Sequence, residues 1–171
     1  MRRIGDWLLL TVIVVFGAVL RFNGLAVPSL WLDEILDYDV ATKLTHEPLW
    51  RWLTGFASEH GPLFFATELA GRFAHAPEFA ARFAPAVFGV AAVIVAAGTR
   101  GEAGTRDGGR GERLTFALLL AGSPLAIYYS REARPYALLI LLATLLLAAF
   151  LRPSASPREP VPLIALSLLF T

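Results

Sequence analysis

Long apolar stretches separated by short polar links run along this chain, and their lengths predict membrane-spanning helices. Such a helix requires roughly 20 apolar residues, or about 17 at the short end. Four stretches approach or reach this length, at residues 7–22, 79–99, 114–129 and 135–151, and a fifth starts at Val161. The pattern predicts an all-α fold, a polytopic transmembrane helical bundle. Because the fifth stretch is still apolar at Thr171, we expect residues 1–171 to be the N-terminal part of a single transmembrane domain whose C-terminal spans follow.

The composition favours the same class of protein. Of the 171 residues, 56% are hydrophobic and only 17% are charged, whereas about a quarter of the residues of a soluble domain are charged. The formal net charge of +1 gives no reason to expect binding to nucleic acid. The chain contains no cysteine, which excludes disulfide bonds and thiolate metal sites within it.

The arginines predict the orientation of the spans, because short cytoplasmic loops of membrane proteins are enriched in Lys and Arg. They lie before the first span, after the second and after the fourth, at Arg2, Arg3, Arg100, Arg106, Arg110, Arg113, Arg152 and Arg158. The N-terminus is therefore predicted to be cytoplasmic and residues 23–78 to form an outer loop. The first apolar stretch also fits a signal peptide, but Arg21 stands where a cleavage site of small residues is expected, which favours a signal anchor.

The outer loop is predicted to contain helices that lie on the membrane surface. Residues 62–74 are apolar, but about 13 residues are too few to cross the bilayer. Counting them as a span would also place the arginine-rich link at residues 101–113 outside. Residues 33–44 and 50–57 are two further candidates for surface helices, and Trp31 suits the level of the lipid headgroups.

This topology brings acidic and basic residues to the same outer membrane face. Asp33 and Glu34 follow the first span, Arg82 lies in the first turn of the second, and Glu132 and Arg134 precede the fourth. Carboxylates at membrane depth are costly and usually functional. A carboxylate can remove a proton from an attacking hydroxyl, and arginines at helix ends can hold a phosphate leaving group.

Asp33, Glu34 and Arg82 also have purely structural interpretations. Asp33 and Glu34 could be first-turn acids that the helix dipole stabilises. Arg82 could extend to the lipid headgroups with no further role, and we expect that role for Arg131.

The remaining polar residues leave alternatives open as well. Glu132 and Arg134 could form a local ion pair. Glu59 and His60 could mark a turn before the next helix, or they could be ligands of a divalent metal ion. Metal ions usually need three or four ligands, so two adjacent residues identify such a site only as a candidate.

Four sequence patches, in order along the chain, resemble one enzyme family. They are Arg21-Phe22 with Ser29-Leu30-Trp31-Leu32-Asp33-Glu34, His60-Gly61-Pro62-Leu63-Phe64-Phe65, residues 78–89 around Arg82, and Ser123-Pro124 with residues 128–136. The chain resembles membrane glycosyltransferases of the C-type fold, the group of protein O-mannosyltransferases and lipid A aminoarabinose transferases. It looks most like the bacterial dolichyl-phosphate-mannose-protein mannosyltransferase-like members. Gly61 departs from the family pattern, which usually has proline at that position.

The resemblance implies a transferase that moves a sugar from a polyprenyl-phosphate-linked donor to an acceptor hydroxyl of a protein, lipid or glycan. It would act at the outer face of the cytoplasmic (inner) membrane, as a multi-pass protein. Asp33 would be the general base and Glu132 a second active-site acid, with Glu34 and Tyr136 as supporting residues.

By the same resemblance, Arg82 and Arg134 would contact the donor phosphate, and Glu59 with His60 would stand where some relatives place a metal or phosphate contact. Two alternatives remain beside this prediction. The chain could be a non-catalytic module that binds polyprenyl-phosphate lipids, or an inactive truncated fragment.

Overall fold

The computed structural model describes residues 2–43, 61–74, 76–99 and 109–151. In these ranges the fold is all-helical, as the apolar pattern predicts, with no strand. Seven helices lie in these ranges: α1 (Arg2–Phe22), α2 (Leu32–Lys43), α3 (Gly61–Gly71), α4 (Pro77–Gly98), α5 (Arg110–Gly122), α6 (Pro124–Ser130) and α7 (Tyr136–Phe150).

Two of the described helices are long and apolar enough to cross a membrane. They are Gly5–Phe22 of α1 and Pro77–Gly98, which is the whole of α4. Helix α7 is also apolar but shorter. This finding gives weak support for a membrane protein, since a core helix or a signal sequence has the same length and composition.

Helix α4 lies at the centre of the described fold and contacts α1, α3, α5, α6 and α7. Its buried face consists largely of small residues, which are Ala80, Ala81, Ala84, Ala86, Gly89, Ala92, Ala96 and Ala97. Small side chains allow neighbouring helix backbones to approach closely, which is the usual way that helices associate in membranes. Large apolar side chains of α1, such as Trp7 and Val12, remain exposed instead.

The apolar stretch at residues 114–129 is divided into two helices. Helix α5 ends at Gly122, and α6 begins at Pro124, a favoured residue in the first turn of a helix. Between them, the Ser123 hydroxyl accepts a hydrogen bond from the Ala126 N–H at 3.3 Å, which caps α6. The chain therefore changes helix within the stretch that the hydropathy pattern treats as one.

A buried arginine satisfies the carbonyl groups that this break leaves without partners. Arg21, which is 0% exposed, donates to the Leu120 and Ala121 carbonyls at 3.0 and 3.1 Å, and these lie in the last turn of α5. Its Nε also donates to the Ser130 hydroxyl at 3.2 Å. Arg21 thereby fixes the end of α1 against the ends of α5 and α6, where the polar cavity described below lies.

Two of the three segments that the sequence predicts as surface helices are helical in the described residues, while their position in an outer loop stays a prediction. Residues 33–44 correspond to α2 and residues 62–74 to α3, and the two helices pack against each other. The segment at residues 50–57, residues 101–108 of the arginine-rich link and the fifth apolar stretch lie outside the described residues. The division into four complete spans stays a prediction.

Candidate functional site between helices α2, α4 and α6

Glu34 lies at the centre of the candidate site, in the first turn of α2, where the helix dipole favours an acidic side chain. It is 1% exposed. Its Oε2 accepts the Trp31 backbone N–H at 3.3 Å, so the side chain reaches back and caps its own helix. Its Oε1 accepts the Ala133 N–H at 2.8 Å, which fixes the turn between α6 and α7 against α2.

Arg82 of α4 forms a bidentate ion pair with Glu34, and every N–H group of its guanidinium has an acceptor. Its Nε lies 2.9 Å from Glu34 Oε1 and its Nη2 lies 2.5 Å from Oε2. The other N–H groups donate to the carbonyls of Leu25, Pro28 and Ser29 at 3.3, 2.6 and 3.0 Å. All five guanidinium donors thus have partners within the protein. Arg82 is only 4% exposed, so it does not extend to the lipid headgroups.

The link from α1 to α2 makes these three carbonyls converge on one guanidinium. Gly24, two residues after the end of α1, has φ of +65°, a left-handed conformation that glycine adopts without strain and that often follows the end of a helix. The next residue, Leu25, is 2% exposed and anchors the link. The backbone then passes over Arg82 before α2 begins.

Glu132 is a buried carboxyl group with an unsatisfied oxygen. The residue is 7% exposed, and its Oε2 has no hydrogen-bond partner. Burial raises the pKa of Glu132 above its usual range, and the nearby Glu34 and Asp33 carboxylates add to this rise, while Arg134 and Arg82 oppose it. Glu132 is therefore easier to protonate than an exposed glutamate.

Asp33 lies on the other side of the same helix turn and is more accessible than Glu34. Its side chain is 43% exposed, and Oδ2 lies 3.6 Å from Arg134 Nη2. Arg134 Nη1 also donates to Asp37 Oδ2 at 3.0 Å. Burial lowers the pKa of Arg134, but Asp37 outweighs it and the neighbouring Tyr136 contributes, so the pKa is raised. Arg134 therefore pairs with α2, and Glu132 Oε2 takes no part in that ion pairing.

A cavity of about 570 Å³ opens between these elements. It is lined by Pro28, Ser29, Trp31, Glu34, Arg82, Pro124, Ile127, Tyr128, Arg131 and Glu132. Two aromatic side chains of its wall are exposed, Trp31 to 49% and Tyr128 to 60%. The cavity therefore combines aromatic surfaces with two arginines and two carboxyl groups.

The structure brings together six of the residues that the sequence singles out. They are Asp33, Glu34, Arg82, Glu132, Arg134 and Tyr136. Glu59 and His60, the candidate metal ligands, lie outside the described residues. Among the residues that are described, no group of three or more His, Asp or Glu side chains could hold a metal ion.

Two arginines are more closely involved than the sequence indicates. Arg131, expected to extend to the headgroups, lines the cavity and donates to the carbonyls of Leu20 and Gly24 at 3.4 Å each. Arg21 is completely buried behind the cavity. The sequence does contain a signal for the burial of Arg21. It is a charged residue at the end of an apolar stretch, and such residues usually face the interior of a bundle.

Comparison with known proteins finds no matching family model, no matching curated protein and no matching solved structure.

Proposed function

We propose that this chain is part of a membrane glycosyltransferase that moves a sugar from a polyprenyl-phosphate-linked donor to an acceptor hydroxyl. The observation that carries the proposal is the position of Asp33. Its carboxylate is accessible and held by Arg134, and it lies beside the buried Glu132 of a cavity with arginines in its wall. A base beside a site for an anionic leaving group is what this transfer requires.

The proposed reaction needs one proton transfer and one displacement. Asp33 removes the proton of the acceptor hydroxyl, and the acceptor oxygen attacks the anomeric carbon of the donor sugar. The bond between that carbon and the phosphate oxygen breaks, and polyprenyl phosphate leaves with the bonding electrons. Arginine N–H groups stabilise the negative charge that develops on the phosphate.

The other residues of the proposed site have distinct roles. Glu34 and Arg82 position α2 and the turn at Ala133, because their mutual bonds join these elements. Arg134 orients the Asp33 carboxylate through the ion pair between them. Contact of Arg82 with the donor phosphate stays a prediction and would require it to exchange one of its present bonds.

We further propose that the protein is a polytopic helical bundle of the cytoplasmic (inner) membrane, with the cavity at the extracytoplasmic face. Support comes from the starts of α1 and α5, which lie at the ends of these helices away from the cavity. There Arg110, at the start of α5, pairs with Asp6 near the start of α1 at 2.6 Å. The arginine-rich links are expected on that side, since cytoplasmic loops are enriched in Lys and Arg. Helices α2 and α3 would then lie at the outer membrane surface.

Substitution of Asp33 tests the proposed function. In membranes that contain the intact protein, Asp33→Asn should lower sugar transfer by about 100-fold or more, because general base catalysis contributes roughly that factor. Transfer is measured as radiolabelled sugar moved from a polyprenyl-phosphate donor to endogenous acceptors.

The matched control is Asp39→Asn in the same helix, where Asp39 pairs with the exposed Lys43 of the next turn. This variant should retain transfer close to the wild-type rate. Unchanged transfer in Asp33→Asn would contradict the role of Asp33. Lipid-phosphate binding without any transfer would instead favour the alternative, a non-catalytic module that binds polyprenyl phosphates.

A further inference from the structure

Arg131 is the cavity arginine best able to bind an incoming anion. The donors of Arg82 are all used, and Arg134 does not line the cavity. Arg131 makes two hydrogen bonds of 3.4 Å, both to main-chain carbonyls, and this distance is longer than usual for such bonds. In the described part of the chain it has no carboxylate partner within salt-bridge distance.

Glu132, the next residue, supplies an unsatisfied polar atom in the same wall. Its Oε2 is buried without a hydrogen-bond partner, and a buried polar atom without a partner is costly. Burial raises the pKa of its carboxyl group. The charged groups around it are Glu34 and Asp33 of α2, Arg82 of α4, and Arg131 and Arg134 of the same turn.

The charges of the cavity wall determine what can enter it. Glu34 and Arg82 form a pair and cancel each other. Arg131 and Glu132 remain, and together they are neutral when Glu132 is ionised but carry one positive charge when it is protonated. A protonated carboxyl group also gains an O–H donor.

We propose that Arg131 and the protonated carboxyl group of Glu132 form a subsite for a phosphodiester. Arg131 donates N–H groups to one phosphate oxygen, and the Glu132 O–H donates to another. The identification of the ligand as the lipid-linked sugar donor rests on the function proposed above. The anion subsite itself rests on the cavity and on these two neighbouring side chains.

The subsite makes anion binding depend on pH. Below its raised pKa, Glu132 is neutral and donates to the phosphate. As the pH rises through that pKa, the carboxylate ionises and repels the phosphate, so the affinity falls by up to about tenfold for each pH unit. A phosphodiester is a suitable probe because its single charge does not change in this range.

Titration calorimetry with the purified chain in lipid nanodiscs tests the proposal. The probes are dimethyl phosphate and a short isoprenyl methyl phosphodiester, compared between about pH 5 and pH 8. Wild-type protein should bind most tightly at acidic pH. Arg131→Gln should bind about tenfold to a hundredfold more weakly, which corresponds to the loss of a charged hydrogen bond. Arg131→Lys, which keeps the charge, should be intermediate.

Glu132→Gln is the decisive variant, because its amide donates N–H without titrating. It should keep the affinity of the acidic wild type and lose the pH dependence. Arg110→Gln is the matched control, since Arg110 pairs with Asp6 away from the cavity, and it should bind as the wild type does. Affinity that is unchanged in both Arg131 variants, or a pH dependence that persists in Glu132→Gln, would overturn the proposal.

The two probes separate the possible sources of the phosphate. Tighter binding of the isoprenyl ester supports a lipid ligand, whereas equal affinities would overturn that identification. The result is also independent of the transfer assay. Absence of phosphodiester binding in wild-type protein that still transfers sugar would refute this inference alone, and phosphodiester binding without transfer would refute the proposed function alone.

Discussion

Glu34 and Arg82 form a buried ion pair in which both partners are almost fully hydrogen-bonded. Glu34 accepts four hydrogen bonds, two from Arg82 and two from backbone N–H groups. Removing one partner of a buried pair leaves an uncompensated charge, which destabilises a fold far more than the intact pair stabilises it. The pair is therefore expected to matter mainly by fixing which elements meet at the cavity.

The substitution Glu34→Gln tests how much the fold depends on this ion pair. The variant should lower the free energy of unfolding by about 3 kcal/mol, because the Arg82 charge stays buried without a carboxylate. Denaturant unfolding of the detergent-solubilised protein, followed by circular dichroism, measures it. The matched control Glu112→Gln removes an exposed first-turn acid of α5 and should change stability by less than about 1 kcal/mol. Equal effects of the two substitutions would contradict the account.

The sequence predicts the acidic pair but not the division of roles within it. Successive residues of a helix point about 100° apart, so Glu34 is buried while the Asp33 side chain is 43% exposed. The structural interpretation therefore applies to Glu34, whereas the catalytic role of Asp33 stays a proposal. The bond from Glu34 to Arg82 joins residues 48 positions apart, and no local pattern could predict that pairing.

At the scale of elements, α1, α4 and α6 meet at Gly89. A Cβ atom at this position would lie 2.0 Å from the Ser130 hydroxyl and 2.7 Å from Arg21 Nε. Glycine is therefore required for α4 to approach the end of α6 this closely. The bond from Arg21 to Ser130 fills the space that the missing side chain leaves.

Gly89→Ala should consequently destabilise the fold by about 1–3 kcal/mol, the usual cost of overpacking. Gly98→Ala is the control in the same helix, because a Cβ atom there meets nothing within 4 Å, and it should be neutral or slightly stabilising. Urea titrations give both values. In a Ser130→Gly background the cost of Gly89→Ala should fall, and strict additivity would contradict direct contact between the two positions.

The break between α5 and α6 shows how a tertiary contact can divide an apolar stretch. Ser123-Pro124 is a recognisable start signal for a helix, but the continuous hydropathy around it favours one long helix instead. The end of α5 at Gly122 depends on Arg21, which supplies donors to its last carbonyls from 99 and 100 residues away. The sequence contains the signal, and the distant arginine makes the break stable.

At the scale of the whole molecule, the long apolar stretches predict the all-helical fold, because a segment within a bilayer must satisfy its own backbone hydrogen bonds and a helix does so. The central position of α4 is less predictable from the sequence, since it depends on the row of small alanine side chains along this helix. In the apolar segment of α4, 56% of the residues are buried, against 22% in that of α1. Residues of three helices and of two connections between helices meet at the cavity, and the packing around α4 brings them together.

The central claim is that this cavity faces the outside of the membrane and takes a polyprenyl phosphate. Because the chain has no cysteine, single cysteines can be introduced without background labelling. Three positions are informative. Tyr128 lines the cavity, Val27 is 83% exposed in the link after α1, and Gly111 lies at the start of α5.

Labelling of intact cells with a membrane-impermeant maleimide tests this claim most directly. Tyr128→Cys and Val27→Cys should react from outside, and Gly111→Cys only after permeabilisation. Added polyprenyl phosphate should slow the labelling of Tyr128→Cys and leave that of Val27→Cys unchanged. Labelling of Tyr128→Cys only in permeabilised cells, or at a rate that polyprenyl phosphate does not alter, would contradict the account.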